Sequence, residues 1–514
     1  MNRSLNFILN GRFVSTELPA GTLTLDYLRR ERRLTGTKEG CREGDCGACA
    51  VLLGQLPRDS GRTGGRQLSE TGLYYSTVNS CLLPVGELEG RHLVTIEGLN
   101  PQPGEGEAAS SLPPLNPVQQ CFLEEGASQC GFCTPGFVIS LTGYLLRSPA
   151  PTLEGALEAV AGNICRCTGY ASIRRAVGRL LELVGSGGPE PVTLARLCEL
   201  GVVPGYFQEI PEALRKIVRG GFAARAAAYR QPAAPKGESR AVLVAGGTDL
   251  FVQRPEELES SRLQFLSRRT ELSGMWREDG RLVVGAAATM EELHALPELA
   301  ATLAPVADAL QWVASSPIRQ RASLGGNLVN ASPIGDLTIL LLALGACLGL
   351  RSGDAERELP LEEFYRGYKQ LDLGPREVVV WVAFAPPEAG SYLGFEKVAR
   401  RRHLDIASVN SAAWLKAEAA EAGGAGSRRL TGARISAGGV APVPLFLART
   451  SAHLEGRQVE PKLFREALEV AQEEAAPIDD VRGSAAYKRL ALRQLLIAHF
   501  LGAFPEELCG EEWR

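Results

Sequence analysis

Eight of the twelve cysteines in this 514-residue chain fall in two tight groups before Tyr170, and their spacing is the sequence feature most capable of chemistry. Within Gly40–Cys49 (Gly-Cys-Arg-Glu-Gly-Asp-Cys-Gly-Ala-Cys), Cys41, Cys46 and Cys49 form a Cys-x4-Cys-x2-Cys run, and Cys81 follows beyond a strand-like segment. Four thiolates at this spacing suit a [2Fe–2S] cluster of the plant ferredoxin kind. A loop wrapped round a cluster must turn tightly and aim its N–H groups at the sulfides, and the glycines of the run permit the positive φ this demands. The second group pairs Cys130 with Cys133 (Cys-Gly-Phe-Cys) and Cys165 with Cys167 (Cys-Arg-Cys). Two structural zinc sites are the alternative, because zinc takes closely spaced cysteine pairs. The ferredoxin spacing of the first run and the tightness of the 165–167 pair favour clusters, and hence electron transfer. Cys121, Cys198, Cys347 and Cys509 are scattered and read as small buried hydrophobes.

The elements around the first run read as a small β-grasp domain over residues 1–98. Alternation over Leu5–Val14 broken at Asn10-Gly11 predicts a hairpin with a two-residue turn. Leu25–Arg32 predicts a short helix with Thr24 as N-cap, and Ala50–Leu56, Leu73–Val85 and His92–Ile96 supply strands. Pro57–Arg66 is a polar, Gly-rich excursion, and Asn100–Pro114 is a linker. The period then changes. Val118–Glu125, Pro135–Arg147, Leu153–Ala161 and Tyr170–Val184 read as a four-helix domain over residues 110–184, with a cysteine pair at each of two joints, where backbone N–H groups are free. Residues 185–238, with helical pieces at Leu194–Leu200 and Pro211–Val218 and the Ala/Pro/Gly-rich Ala223–Glu238, read as a long connector between bodies that dock separately.

Length sets a prior of roughly three or four domains. A hydrophobic fraction of 45% and a charged fraction of 22% are ordinary for a globular protein. A net charge of −4 makes no case for nucleic acid or a membrane surface as partner. The first ten residues lack the pattern of a secretory signal. The longest apolar run, Leu337–Leu350, has 14 residues and reads as a buried helix, short of the roughly 18 a membrane span needs. A cytoplasmic protein is expected. The five histidines (His92, His294, His403, His453 and His499) show no ligand spacing.

Two further stretches bear on a nucleotide. Ala241–Leu250 (Ala-Val-Leu-Val-Ala-Gly-Gly-Thr-Asp-Leu) and Ala322–Asp336 (Ala-Ser-Leu-Gly-Gly-Asn-Leu-Val-Asn-Ala-Ser-Pro-Ile-Gly-Asp) each carry a Gly-Gly turn among apolar residues and small hydroxyls. Such turns suit backbone cradling of a pyrophosphate, and neither matches the Rossmann fingerprint. Strands at Arg281–Ala286, Val378–Ala385 and Arg429–Ala437, and helices at Thr289–Leu296, Glu298–Ser315, Pro461–Glu474 and Ala485–Phe500, indicate α+β folding.

The cysteine groups, the run Asn-Ile-Cys-Arg-Cys-Thr-Gly-Tyr (Asn163–Tyr170), Ala-Gly-Gly-Thr-Asp and Ser-Leu-Gly-Gly-Asn together resemble the xanthine dehydrogenase family of molybdenum hydroxylases, over nearly the whole chain. The resemblance implies a multidomain α+β protein. A β-grasp ferredoxin domain (1–98) and a four-helix [2Fe–2S] domain (110–184) precede the connector. An FAD-binding domain of the vanillyl-alcohol-oxidase/PCMH type (239–385) and an α+β carbon monoxide dehydrogenase flavoprotein-like C-terminal domain (390–505) follow it. It implies the iron–sulfur/FAD small subunit of a split, bacterial-type enzyme, with molybdopterin on a large partner subunit, a heterotetramer, and NAD as acceptor. By the same resemblance Cys130, Cys133, Cys165 and Cys167 hold the cluster nearer molybdenum, and Cys41, Cys46, Cys49 and Cys81 the one nearer the flavin. Gln129 is similar to a glutamine that touches the pterin. Leu243, Val244, Gly246, Gly247, Thr248, Asp249, Ser323, Gly325, Gly326, Asn327, Asn330, Asp336 and Lys397 form the FAD set. Asp336 is placed to accept from an FAD hydroxyl and Lys397 to favour reduced anionic flavin. Asn330, Val313 and Arg402-His403-Leu404-Asp405 depart from the family pattern near the flavin, which bears on whether NAD or O2 accepts the electrons. The basic run Arg400–Arg402 reads as a solvated face, or as a partner for NAD phosphates. An aldehyde or carbon monoxide dehydrogenase subunit, and a non-catalytic iron–sulfur carrier, are the alternatives.

Overall fold

A computed structural model of the chain describes residues 4–57, 72–100, 114–188, 190–219, 241–296, 310–401, 404–419, 428–508 and 513. The Pro57–Arg66 excursion, most of the Asn100–Pro114 linker and of the Glu298–Ser315 helix, and Ala223–Glu238 lie outside the described residues beyond Pro57, Asn100, Pro114 and the 310–315 segment. Two compact units are present, the first formed by Met1–Asp59, Arg66–Arg268 and Ser315–Ala322, the second by Arg269–Ala314 and Ser323–Arg514.

In the first unit, β1 (Leu5–Leu9), β2 (Arg12–Thr16), β3 (Ala50–Gln55), β4 (Tyr74–Asn79) and β5 (His92–Val94) make a sheet of order β2-β1-β5-β3-β4. β1 and β5 run parallel and the other neighbours antiparallel, as a β-grasp sheet does. The expected hairpin turn is there, with Asn10 at φ 53, a conformation Asn tolerates better than most residues. Leu25–Arg32 departs from expectation. It is one α-turn (Thr24–Asp26) followed by a π-turn (Tyr27–Glu31). Leu23 holds the cap position, while the Thr24 amide donates to the Leu83 carbonyl at 2.8 Å. The Thr24 hydroxyl is buried and accepts no helix amide among the described residues, so the expected cap is not made.

Helices Pro117–Glu124, Thr134–Leu145, Leu153–Ala159 and Ala171–Val184 fall where expected. Asn116 and Gln119 close a capping box on the first. The second is apolar on nearly all sides because it lies buried on the ferredoxin sheet. Gly143 permits this: a Cβ there would stand 2.3 Å from Thr77 Oγ1 and 2.7 Å from Leu52 Cδ2. One apolar core therefore runs from the sheet into the helices. The described part of the connector is not a free tether. Helices Leu194–Glu199 and Ile210–Ile217, and the 3-10 turn Gly205–Gln208 between them, bury Leu197, Leu214 and Phe207 in that same core. Phe207 also packs on His92 and Tyr75 with ring centroids 5.4 and 5.6 Å apart. Composition alone suggested a linker because so few apolar residues anchor it. Two short strands, β6 (Val242–Val244) and β7 (Leu263–Phe265), pair in parallel beside it.

In the second unit, β8 (Met275–Glu278), β9 (Arg281–Gly285), β10 (Cys347–Ser352), β11 (Ala355–Pro360), β12 (Tyr365–Gly367), β13 (Gln370–Leu371) and β14 (Val378–Phe384) form an antiparallel sheet of order β11-β10-β14-β9-β8, with β12 and β13 paired apart from it. The expected Leu337–Leu350 helix stops early. It spans Asp336–Ala343, after which Gly345 at φ 64 closes a Schellman turn, with Ala346 N donating to Leu341 O and Gly345 N to Leu342 O. The rest of the apolar run becomes β10. A second sheet, β15 (Tyr392–Val398), β16 (Val409–Ala419), β17 (Arg428–Gly438) and β18 (Leu445–Phe446), packs with helices Pro461–Glu474 and Ala485–Ala503 around Phe464, Phe500 and Phe504.

A charged cluster is buried in the first unit. Glu87 is fully buried and pairs with Arg91 at 2.8 Å, accepts from Ser267 Oγ at 2.5 Å, and faces Arg268 and Arg321. Burial alone would raise its pKa, but Arg91, Arg321 and Arg268 with the Ser267 hydroxyl hold it down to about 2. A depressed carboxylate contributes stability above its unfolded pKa that is lost as pH falls through the folded value. Glu87→Gln should therefore lower the urea midpoint at neutral pH, by a free energy of about 3 kcal/mol. The gap to the parent should narrow between about pH 5 and pH 2 as the parent loses this contribution. Denaturation at several pH values checks it, and a gap constant with pH would refute the assignment.

Candidate functional site

The cysteines of the first run converge in pairs. Cys49 and Cys81 are 3% and 1% exposed, with sulfurs 3.4 Å apart. Cys41 and Cys46 share a thiol hydrogen bond. That bond, together with amides of Glu43, Cys46 and Asp45 that point at its sulfur, holds the Cys41 thiol down at about 5. Gly40 is required beside it, since a Cβ would lie 2.6 Å from Cys46 Sγ. Gly44 and Gly47 turn the loop at φ 88 and 67, and so does Arg42 at φ 61. Arg42 is held in that unusual conformation by Asp26 and Glu39, each at 2.7 Å. Asn79 donates to the Gly44 carbonyl at 2.9 Å, and Ser80 to that of Cys49 at 2.7 Å. The strand β4 thereby fixes the loop that carries the other three cysteines.

The second group pairs likewise. Cys130 and Cys167 are exposed, with sulfurs 3.6 Å apart, while Cys133 and the buried Cys165 share a hydrogen bond. Burial pushes the Cys133 thiol up to about 12. Cys133 is the N-cap of helix Thr134–Leu145. Tyr170, itself at φ 67, accepts from the Cys165 amide at 3.0 Å, and Thr168 meets the Cys165 sulfur at 3.2 Å. Gln129 lies exposed beside Cys130.

A tetrahedral metal with sulfur bonds of about 2.3 Å sets its thiolates roughly 3.7 Å apart. Cys49–Cys81 at 3.4 Å and Cys130–Cys167 at 3.6 Å come near that spacing, one such pair in each group, as an iron held by each pair would need. The two groups are also stitched to each other. The Ile164 amide, adjacent to Cys165, donates to the Cys46 carbonyl at 3.0 Å. Asn163 Nδ2 donates to the Gly47 carbonyl at 3.1 Å while its Oδ1 accepts from Ser140. Gly136 makes room, because a Cβ there would sit 2.4 Å from the Gly47 carbonyl oxygen. Asn163 and Ile164 entered the sequence reading only as part of a motif; the 116-residue separation from Gly47 hides the contact.

The residues expected around FAD fall in both units. In the first, Leu243 and Val244 end β6, and Gly246, Gly247 and Thr248 turn the chain toward Asp249, which begins helix Leu250–Gln253. Gly247 has φ 75. A Cβ on Gly246 would lie 2.1 Å from the Arg321 carbonyl oxygen, and Arg321 Nη2 donates back to the Gly246 carbonyl at 2.7 Å. Among the described residues the Gly246, Gly247 and Thr248 amides donate to no backbone carbonyl, which leaves them for an anion.

In the second unit the other Gly-Gly pair is no open turn. It is the first turn of a helix, Leu324–Asn330, capped by Ser323 Oγ on the Gly326 amide at 3.1 Å. Leu324 and Gly325 amides go to Ala288 and Ala286 carbonyls, so this stretch offers side chains more than amides. Asn327 Oδ1 accepts from Thr338 at 3.4 Å, and Asn330 is engaged by Lys369. Lys397 and Asp336 form a buried ion pair at 2.7 Å. Lys397 also donates to the Trp312 carbonyl at 3.2 Å, and Asn410 donates to the second Asp336 oxygen. Asn410, absent from the sequence-derived set, keeps Oδ1 buried with no donor among the described residues. Arg402 and His403 lie outside the described residues. Asp405 accepts the Arg400 and Arg401 amides, folding that basic run on itself.

Comparison with known proteins finds four successive matches along the chain. A 2Fe-2S iron-sulfur cluster binding domain matches residues 7–86 and a [2Fe-2S] binding domain residues 95–178. An FAD binding domain in molybdopterin dehydrogenase matches residues 223–386, and a CO dehydrogenase flavoprotein C-terminal domain residues 395–503. The chain has the iron–sulfur and flavin domain architecture of the xanthine dehydrogenase and molybdenum hydroxylase family. Xanthine dehydrogenase 1 of Arabidopsis thaliana is 30% identical over 521 residues, covering 89% of this chain and 36% of that protein. Xanthine dehydrogenase of Emericella nidulans is 27% identical over 505 residues, covering 88% and 35%. The chain thus spans about a third of the length of these curated relatives. A solved carbon monoxide dehydrogenase of Hydrogenophaga pseudoflava is 26% identical and covers 52% of this chain and 91% of that one, with a TM-score of 0.48. No helix among the described residues is long and apolar enough to cross a membrane.

The buried Lys397–Asp336 pair can be tested directly. Lys397→Met leaves Asp336 buried without its cation and should cost about 3 kcal/mol or more, whereas Lys397→Met with Asp336→Asn should recover most of that loss. Denaturant midpoints of the two variants check it; equal losses in both would show that the pair carries no mutual stabilisation.

Proposed function

We propose that this chain is the iron–sulfur and FAD portion of a xanthine dehydrogenase-type enzyme. In this reading a molybdopterin-bearing partner subunit oxidises a purine, and the electrons pass through the two [2Fe–2S] clusters to FAD and then to NAD. The observation that carries the reading is the single hydrogen bond from Ile164 N to Cys46 O. It joins a ligand of one proposed cluster to the neighbour of a ligand of the other.

The order of the relay follows from exposure. Cys130 and Cys167 face solvent, with Phe132 46% exposed between Cys130 and Cys133, so the helical-domain cluster is the one a partner can reach. Cys49 and Cys81 are buried in an apolar cluster that also holds Val244, the residue leading into the first glycine loop. The ferredoxin-type cluster is therefore the one nearer the flavin loop. The cysteines hold iron, and the loop amides aimed at their sulfurs favour the electron-rich state. FAD, when bound, exchanges a hydride with a nicotinamide and single electrons with iron–sulfur centres. The Gly246–Thr248 amides would hold its pyrophosphate.

Xanthine as substrate and NAD as acceptor rest on the relatives' names and on the domain order. The purified chain should reduce a dye with NADH and show no purine hydroxylation, which should appear only when a molybdopterin-bearing partner is supplied. Purine turnover by the chain alone would refute the split arrangement, and a flavin that NADH does not bleach would refute NAD as acceptor.

A further inference from the structure

The eight residues Ser315–Ala322 are sequence neighbours of the second glycine stretch, yet they are built into the first compact unit. They are also oddly composed for a buried segment. Arg319 and Arg321 are 2% and 7% exposed, and Ser315, Ser316 and Gln320 are buried between and before them. Burying two guanidinium groups two residues apart is expensive unless each is answered by a specific partner. Each is, and by a different part of the unit.

Arg319 Nη2 bonds Glu158 at 2.7 Å, on the helix that leads into the Cys165–Cys167 joint. Gln320 Oε1 accepts from Tyr74 at 2.6 Å, on the strand that leads to Cys81. Arg321 faces the buried Glu87 of the ferredoxin-type domain and donates to the Gly246 carbonyl of the first glycine loop at 2.7 Å. The backbone is as closely fitted as the side chains. Ser315 Cβ lies 2.7 Å from where a Gly162 Cβ would stand, and Ile318 Cδ1 lies 2.5 Å from where one on Gly44 would stand, inside the Cys41–Cys46 loop. Ile318 further packs on the apolar cluster that contains Cys49, Cys81 and Val244. One short segment therefore touches both cysteine loops and the first glycine loop.

We infer that Ser315–Ala322 is a positioning strap that fixes the spacing between the two cysteine loops and the Gly246–Gly247 loop, with the Arg321–Gly246 hydrogen bond, in the field of the buried Glu87, as its latch. The inference rests on the relay proposed above and adds residues that neither hold a cluster nor bind flavin. Arg321 and Glu87 act through the loop, and Ile318 fills the gap between the Cys41–Cys46 loop and the apolar wall beside Gly246–Gly247. Non-covalent latching has a consequence. Loosening it should move the glycine loop without removing any iron ligand, and electron exchange between flavin and cluster should slow while cluster content and spectra stay unchanged.

The experiment uses the full chain with its clusters and FAD in place, as parent, Glu87→Gln, Arg321→Met and Ile318→Ala. Hydrogen exchange of the peptide containing Gly246 and Gly247 is measured first. One electron is then placed on the flavin by flash reduction with a deazariboflavin radical, so that the donor is the radical, the flavin gains one electron, and the oxidised [2Fe–2S] centre receives it. Glu87→Gln and Arg321→Met are expected to raise exchange in the glycine loop and to slow electron arrival at the cluster by roughly tenfold, the scale on which small misplacements act. Iron content and the cluster's reduced-state resonance should stay as in the parent. Ile318→Ala, which changes no charge and keeps the latch, should slow transfer with loop exchange unchanged, and it decides the matter if the charge variants do not fold. Parent-like transfer and exchange in every folded variant would overturn the strap. A parent lacking flavin or iron would instead sink the relay, and the exchange measurement alone would then uphold or overturn the latch.

Discussion

Electron transfer between centres buried in protein requires that their separation be fixed by something stiffer than a loop. In this chain the stiffness comes from two neighbouring carbonyls. The Cys46 oxygen accepts the Ile164 amide, and Asn163 reaches past it to the Gly47 carbonyl. Neither contact survives a side chain at Gly47 or Gly136, where a Cβ would collide with Gly162 O or Gly47 O at 2.4 Å. The glycines of the two cysteine groups thus have distinct jobs. Some bend a loop to positive φ around sulfur, and others allow two loops to touch.

Around that contact the fold buries two sulfurs of the first group and leaves two of the second at the surface. The helix Thr134–Leu145 is buried on the ferredoxin sheet, carries Cys133 at its head, and joins both cysteine groups to one core. Cys49 and Cys81 lie inside protein, whereas Cys130 and Cys167 lie at the surface. A relay with one buried and one exposed centre has a direction built into its packing. The buried arginines serve the same end, since Glu87 and Glu158 hold Arg321 and Arg319 where apolar residues alone would leave the segment free to slide.

Much of this was legible before any coordinates. The Cys-x4-Cys-x2-Cys run, the hairpin at Asn10-Gly11 and the four helices depend on local chemistry, and local chemistry decides them. What the sequence misled on were places where distant contacts overrule local preference. Thr24 looks like a cap, but Leu83 takes its amide and its buried hydroxyl accepts no helix amide among the described residues. Leu337–Leu350 looks like one helix, but Gly345 splits it into helix and strand. The connector looked like a tether, yet Leu197, Phe207 and Leu214 bury it. The flavin residues were named by resemblance, and no spacing could show that Lys397 pairs with Asp336 or that Asn410 joins them.

The central claim is that eight sulfurs hold two binuclear iron centres close enough to sense each other. Electron paramagnetic resonance of anaerobically prepared, dithionite-reduced protein tests it most directly. Two distinct reduced [2Fe–2S] signals, integrating to about two spins per chain and broadened by mutual coupling at low temperature, are the expected result. A silent sample that contains zinc, or two signals with no trace of coupling, would contradict it.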